Sequence, residues 1–269
     1  MTLDYPALLE ELKVESDGII GVLRDLAEQD WDRGTPAIGW SIRDQVSHLA
    51  YFDETATAAI REPERFIEEA AALTAGGTDF PDRIAAEYRS MPAGELFDWF
   101  VRVRGELLAV LAETEPRTRA PWYGPDMSAA SSATARLMET WAHGQDVYDT
   151  LAVPHPPSIG LRSIAHLGVS TFSFVHRLND REVPTQPVRV ELRAPDGESV
   201  WTWGPEDAAN VVSGPAEDFV IVVTQRRHIS DTALTVTGSV AASWMSIAQA
   251  FANVPGPGRA PLTTTGRHS

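Results

Sequence analysis

RLMETWAHGQDVYDT, residues 136 to 150, sets Glu139 and His143 four positions apart. On an α-helix that spacing puts the two side chains one turn apart on the same face. A second stretch, WSIRDQVSHLAYFD (residues 40 to 53), carries a lone histidine, His48. If both stretches are helices of one bundle, His48 completes a set of two histidines and one carboxylate. Such a set suits a divalent cation and leaves coordination positions open for a substrate.

Working outward from these stretches, the first 180 or so residues read as helices. LLEELKVESDGIIGVLRDLAEQ carries Leu8, Leu12, Ile19, Val22, Leu23 and Leu26 at helical spacing, with charges between them. DRGTPAIGW is a loop bearing Pro and Gly. Ser41 then stands as an N-cap with Asp44 three residues on, in the manner of a capping box. GGTDFP interrupts the pattern, and one long helix is expected over about 82 to 114. PRTRAPWYGPDM reads as a loop, 128 to 151 as the helix of Glu139 and His143, and 158 to 179 as a further helix opened by Ser158.

After Pro184 the periodicity changes. QPVRVELRAPDGESVWTWG reads as two strands joined by a Pro-Asp-Gly turn. SGPAEDF opens a helix with Pro215 near its start and acids in its first turn. ALTVTG reads as a strand and SVAASWMSIAQAF as a closing helix. The tail, rich in Pro, Gly and Thr, has little to bury and is expected to be flexible. The divisions expected are a helical domain over 1–182, an α+β domain over 183–255 and the tail over 256–269.

Composition narrows the function classes. The chain has 269 residues and a formal net charge of −16, which argues against nucleic-acid partners, because phosphate binding needs surplus Lys and Arg. No apolar run approaches the roughly 18 residues that cross a bilayer, and the acidic start lacks the features of a signal peptide. A cytoplasmic protein acting on a small molecule, without a membrane partner, is therefore expected; oligomeric state is not legible. There is no cysteine. Any thiol chemistry must use a thiol supplied from outside.

Of the seven histidines, three have a carboxylate four residues away: His48 with Asp44, His143 with Glu139, and His176 with Asp180. His155 in a Pro-rich loop and His268 in the tail are expected in solvent. His166 reads as a core or rim histidine, His176 as a helix-end histidine favoured by the dipole, and His228 as exposed. HExxH is absent, and so is the Glu-x-x-His signal of di-iron bundles. By spacing alone Glu139–His143 stays open between a surface pair and a ligand pair, and spacing does not pick the third ligand.

Two segments carry a resemblance. TPAIGWSIRDQVSHLAYFD is similar to the Pro-x-x-x-Trp-[ST]-[VI]-x-Asp-x-x-x-His-Leu pattern of DinB-like proteins. RLMETWAHGQDVYD resembles the Arg-x-x-Glu-x-Trp-x-His-x-x-Asp segment of the mycothiol-dependent maleylpyruvate isomerase family within that superfamily. SGPAEDFVIVVTQRR followed by ALTVTG resembles, more loosely, that family's small C-terminal domain. Together they span most of residues 1 to 255. The fold this implies is mainly α, a DinB-like four-helix bundle followed by a smaller α+β C-terminal domain.

Carried over residue by residue, the resemblance implies His48, Glu139 and His143 as metal ligands and Zn2+ as the metal. The ligand set alone also fits iron, nickel or cobalt. It implies mycothiol as a thiol cosubstrate, held as a metal-bound thiolate for S-transfer to, or cis–trans isomerisation of, a small electrophile such as maleylpyruvate. Asp146 is the candidate to receive the other nitrogen of a ligand histidine, and Asp44 is explained as a capping residue. Trp40 is expected in the core and Trp141 as a pocket wall. Register from Gly214 and Pro215 puts Arg226 where the family offers a substrate-binding arginine. Gln225 replaces the family's glycine and Arg227 follows, so Arg226, Arg227 or neither faces the pocket. Two other functions stay open: a thiol-independent Lewis-acid enzyme, and a metal-containing ligand-binding protein without turnover.

Overall fold

The computed structural model describes residues 4–252, 254–256 and 258–262. His268 and residues 263–269 of the expected tail lie outside the described residues. Contacts divide the chain into two compact units, Met1–Gly160 and Leu161–Ser269.

The first unit is built on α1 (Tyr5–Arg24), α2 (Ile42–Arg61), α3 (Pro63–Thr74), α4 (Phe80–Glu87) and α5 (Ala93–Glu113), then the two-residue strands β1 (Arg119–Ala120) and β2 (Met127–Ser128), then α6 (Ala129–Leu151). Four of these form the bundle: α2 packs on α5 and α6, and α1 packs on the same two helices. Its core contains Ile19 and Leu23 of α1, Val46 and Leu49 of α2, Phe100 and Val103 of α5, and Val147 of α6.

Local chemistry sets the ends of these helices. Asp4 caps α1 by accepting from the Ala7 amide (3.1 Å). Ser41 and Asp44 form the capping box at the start of α2, each side chain accepting from the other's backbone amide. Glu62 leaves the helical region (φ −136°) ahead of Pro63, which then opens α3, because a residue before proline is driven out of the α conformation. The single helix expected over 82 to 114 is instead two, α4 and α5. Pro92 is extended (φ −55°, ψ 142°) and starts α5 afresh, and its missing N–H forbids continuation from α4.

The second unit opens with α7 (Leu161–Ser170) and α8 (Phe172–Leu178). One helix from Ser158 was expected there. Ser158 does not cap it; its hydroxyl donates to Glu15 Oε2 (2.5 Å). Near the α7–α8 break the hydroxyls of Ser170 and Thr171 bond the carbonyls of His166 and Gly168, a local competition that disrupts regular helices. The rest comprises β3 (Val188–Arg193), β4 (Val200–Trp203), β5 (Asn210–Pro215), α9 (Ala216–Val223), β6 (Thr235–Thr237) and α10 (Ser239–Met245). The sheet order is β4-β3-β5-β6, with β3 and β5 parallel and the other pairs antiparallel. β5, not expected as a strand, runs directly into α9 through Pro215. No helix among the described residues is long and apolar enough to cross a membrane.

Candidate metal centre

α6 is buried on nearly every side from Thr140 to Tyr148, although the stretch includes His143, Gln145 and Asp146. A helix that hides polar side chains must give each of them a partner, and here those partners assemble a site. His48 on α2 faces Glu139 and His143 on α6. Glu139 Oε2 lies 3.0 Å from His143 Nε2 and 3.5 Å from His48 Nε2. The three ligand atoms all fall within 4.8 Å of one another.

This donor set fits a divalent cation. Donors held about 2.0 Å from a tetrahedral metal stand about 3.3 Å apart, close to the two separations given above. The side chains are 12% (His48), 23% (Glu139) and 9% (His143) exposed, so solvent reaches the cluster from the carboxylate's side while the imidazoles are enclosed. Burial alone would raise the Glu139 carboxyl, but hydrogen bonds and charge from His143 and His48 outweigh it and hold it well below the usual carboxylate range.

Around the cluster the structure departs from several expectations. His143 Nδ1 meets Gln45 Oε1, a neutral amide one turn before His48 that the sequence reading did not single out. Asp146 itself is fully buried on α6. Trp40, expected in the core, walls the site: its ring stacks on His143 (5.8 Å, 21°) and lies 5.4 Å from His48. Trp141, expected as the wall, is core. It stacks on His155 (5.2 Å). His155 is not in solvent either, since its Nε2 pairs with Glu15 (2.8 Å) and its Nδ1 with Gln145 (2.9 Å). On the far side of His48, Phe52 (ring centroids 4.6 Å apart) leads into an aromatic group with Tyr123, Phe80 and Trp122.

The same bundle also holds a charged triad that periodicity does not reveal. Asp53 accepts from Arg104 Nε (2.6 Å) and Arg136 Nε (3.0 Å), with all three side chains buried. Burial lowers the Arg104 guanidinium from its ordinary value even beside Asp53. Arg104 also bonds Thr140, the neighbour of Glu139 (2.9 Å).

Arg226 and Arg227 belong to the second unit. Gln225, where a glycine was looked for, takes the left-handed conformation (φ +58°) that glycine favours after a helix. Arg226 follows with its amide on Ile221 O and its Nη1 on Thr224 O (2.8 Å each). Arg227 Nη1 lies 3.4 Å from Arg226 O.

Comparison with known proteins agrees with this architecture. The family described as mycothiol maleylpyruvate isomerase N-terminal domain matches residues 12–148, and the one described as wyosine base formation matches residues 184–237. Uncharacterized proteins of Mycobacterium tuberculosis strains CDC 1551 and H37Rv are each 45% identical over 257 residues, covering 95% of this chain and 99% of theirs. The fold resembles crystal structures of the mycothiol-dependent maleylpyruvate isomerase and a point mutant of it. Their TM-scores are 0.58 and 0.59, at 16% identity, over 88% of this chain and 95% of theirs. The bundle, the sequence match along it and the likeness of fold together make the chain a member of the mycothiol maleylpyruvate isomerase family.

Proposed function

We propose that this protein is a metal-dependent enzyme that binds a divalent cation, Zn2+ foremost, through His48, Glu139 and His143. It would use mycothiol for S-transfer to, or cis–trans isomerisation of, a small electrophile such as maleylpyruvate. The observation that carries the reading is the convergence of three ligand atoms from two helices within 4.8 Å. Family membership and the absence of any cysteine support an external thiol.

A divalent cation bound there supplies one property, the deprotonation of a coordinating thiol. The chain's own residues do the rest. His48 and His143 would hold such an ion through ring nitrogens, and Glu139, kept ionised, would offset one of its two charges and leave the site favourable to an anionic sulfur. Trp40 covers the imidazoles on one side and limits access by water, so the partly open face of Glu139 is the approach left to thiol and substrate.

The test is elemental analysis of the purified protein, followed by calorimetric titration of mycothiol into the zinc-loaded and metal-free forms. About one zinc per chain and zinc-dependent binding tighter than roughly millimolar support the reading. Zinc without thiol binding would sink the mycothiol assignment and favour a Lewis-acid enzyme or a non-catalytic binding protein. No metal at all would sink the whole proposal.

A further inference from the structure

We infer that Gln45 is a positioning residue that selects which nitrogen of His143 is offered to the metal, and that Thr35 fixes Gln45 in the orientation this requires. The inference rests on the metal site proposed above, but it concerns protein–protein hydrogen bonds that exist with or without the ion.

The chain of donors and acceptors begins in the loop before α2. Thr35 Oγ1 lies 2.8 Å from Trp40 O. A carbonyl oxygen only accepts, so the threonine hydrogen points there and its oxygen is left to receive another donor. Gln45 Nε2 stands 2.9 Å away and supplies it. That contact settles the amide, whose two ends could otherwise be exchanged: nitrogen toward Thr35, oxygen toward His143 Nδ1. An amide oxygen cannot donate, so His143 Nδ1 must carry the hydrogen. Nε2 is then the nitrogen whose lone pair serves a metal, and it is Nε2 that lies beside Glu139 Oε2, the oxygen that His48 Nε2 also approaches.

Burial gives the arrangement its force. Gln45 is 0% exposed, so no bulk water competes for the amide, and an unsatisfied end would carry a desolvation cost. The loop itself is pinned. Thr35 N donates to Trp40 O (2.7 Å), and Gly34 and Ser41 form a β-bridge. The same short loop therefore holds Thr35, presents Trp40 to the imidazoles and ends in the capping box of α2. One local structure thus sets the wall of the site, the helix bearing His48 and the tautomer of His143. Outer hydrogen bonds of this kind both orient a histidine and raise its basicity as a ligand.

The experiment combines zinc affinity, measured by competition with a chromogenic chelator, with nitrogen-15 NMR of the His143 ring. Gln45→Leu should weaken zinc binding by about 10- to 100-fold. Gln45→Glu, which still accepts from Nδ1–H, should stay within a few-fold of the parent protein. Thr35→Val should fall between them, and it keeps the inference testable if Gln45→Leu does not fold. NMR should find a hydrogen on Nδ1 of His143 in the zinc and metal-free proteins alike, with zinc on Nε2. Wild-type zinc affinity in Gln45→Leu, or a bare Nδ1, would overturn the inference. A parent protein that takes up no zinc would overturn the metal reading instead. In that case the Nδ1 hydrogen, read in the metal-free protein and lost from slow exchange in Thr35→Val, still decides the role of Gln45.

Discussion

His48 and His143, on different helices, converge on one oxygen of Glu139, with His48 Nε2 3.5 Å from Glu139 Oε2 and His143 Nε2 3.0 Å from it. On the proposed reading these three groups hold one ion between them. The prediction is that His48→Ala, His143→Ala and the double variant all lose bound zinc, because two remaining ligands, or one in the double variant, hold a divalent ion poorly. Elemental analysis after gel filtration reads the outcome. Full zinc occupancy in His48→Ala would show that the ligand set is wrong.

A second prediction concerns acid. The Glu139 carboxyl is held below its ordinary value of 4.5 in the folded metal-free protein. A carboxylate depressed on folding contributes stability that is complete above its unfolded-state value and is lost as pH falls toward the folded one. Glu139→Gln removes that contribution and its pH dependence together. Urea unfolding of the metal-free proteins at pH 7 and below pH 4.5 should therefore show the stability difference between parent and variant shrinking in acid. A difference that does not change with pH would refute the electrostatic account.

Asp53 carries the third prediction. With Arg104 and Arg136 both buried against it, Asp53→Asn leaves two guanidinium groups without the carboxylate they share. Breaking such a buried arrangement costs about 3–5 kcal/mol. Urea denaturation should find a loss of that order with an unchanged m-value, and a loss under about 1 kcal/mol, the scale of surface pairs, would mean water reaches the triad.

The sequence made the bundle legible wherever the signal was local. Apolar spacing located α1, α2 and α6, and Ser41 with Asp44 announced the start of α2 down to its capping box. What it hid were relations between elements. The i,i+4 rule pairs Glu139 with His143 but is silent on what crosses from α2, so Gln45 went unnoticed although it sits three residues before His48 on the same face. Trp40 and Trp141 exchanged roles for the same reason: one sits in the loop before α2 and the other on α6, and only packing decides which one meets the imidazoles. β5 escaped because one partner, β3, lies parallel to it and the other, β6, follows only after α9, so neither gives a hairpin signal, and His155 because a loop residue can be buried when a neighbouring helix supplies Glu15.

The last prediction separates the two units. Gly204, just past β4, has φ +83°, and a Cβ there would lie 2.3 Å from Val188 O. The left-handed backbone alone costs a non-glycine residue about 1–3 kcal/mol, and the clash with a strand carbonyl that cannot rotate away adds to it. Gly204→Ala should therefore lower the stability of the second unit by more than the backbone cost. Gly204→Asn tests which effect dominates, since asparagine tolerates positive φ yet still carries a Cβ. If the clash governs, asparagine is no better than alanine; a clear recovery would assign the defect to backbone conformation. Zinc stoichiometry should be untouched in both variants, because His48, Glu139 and His143 all belong to the first unit, and loss of zinc would show that the metal centre depends on the second unit's integrity.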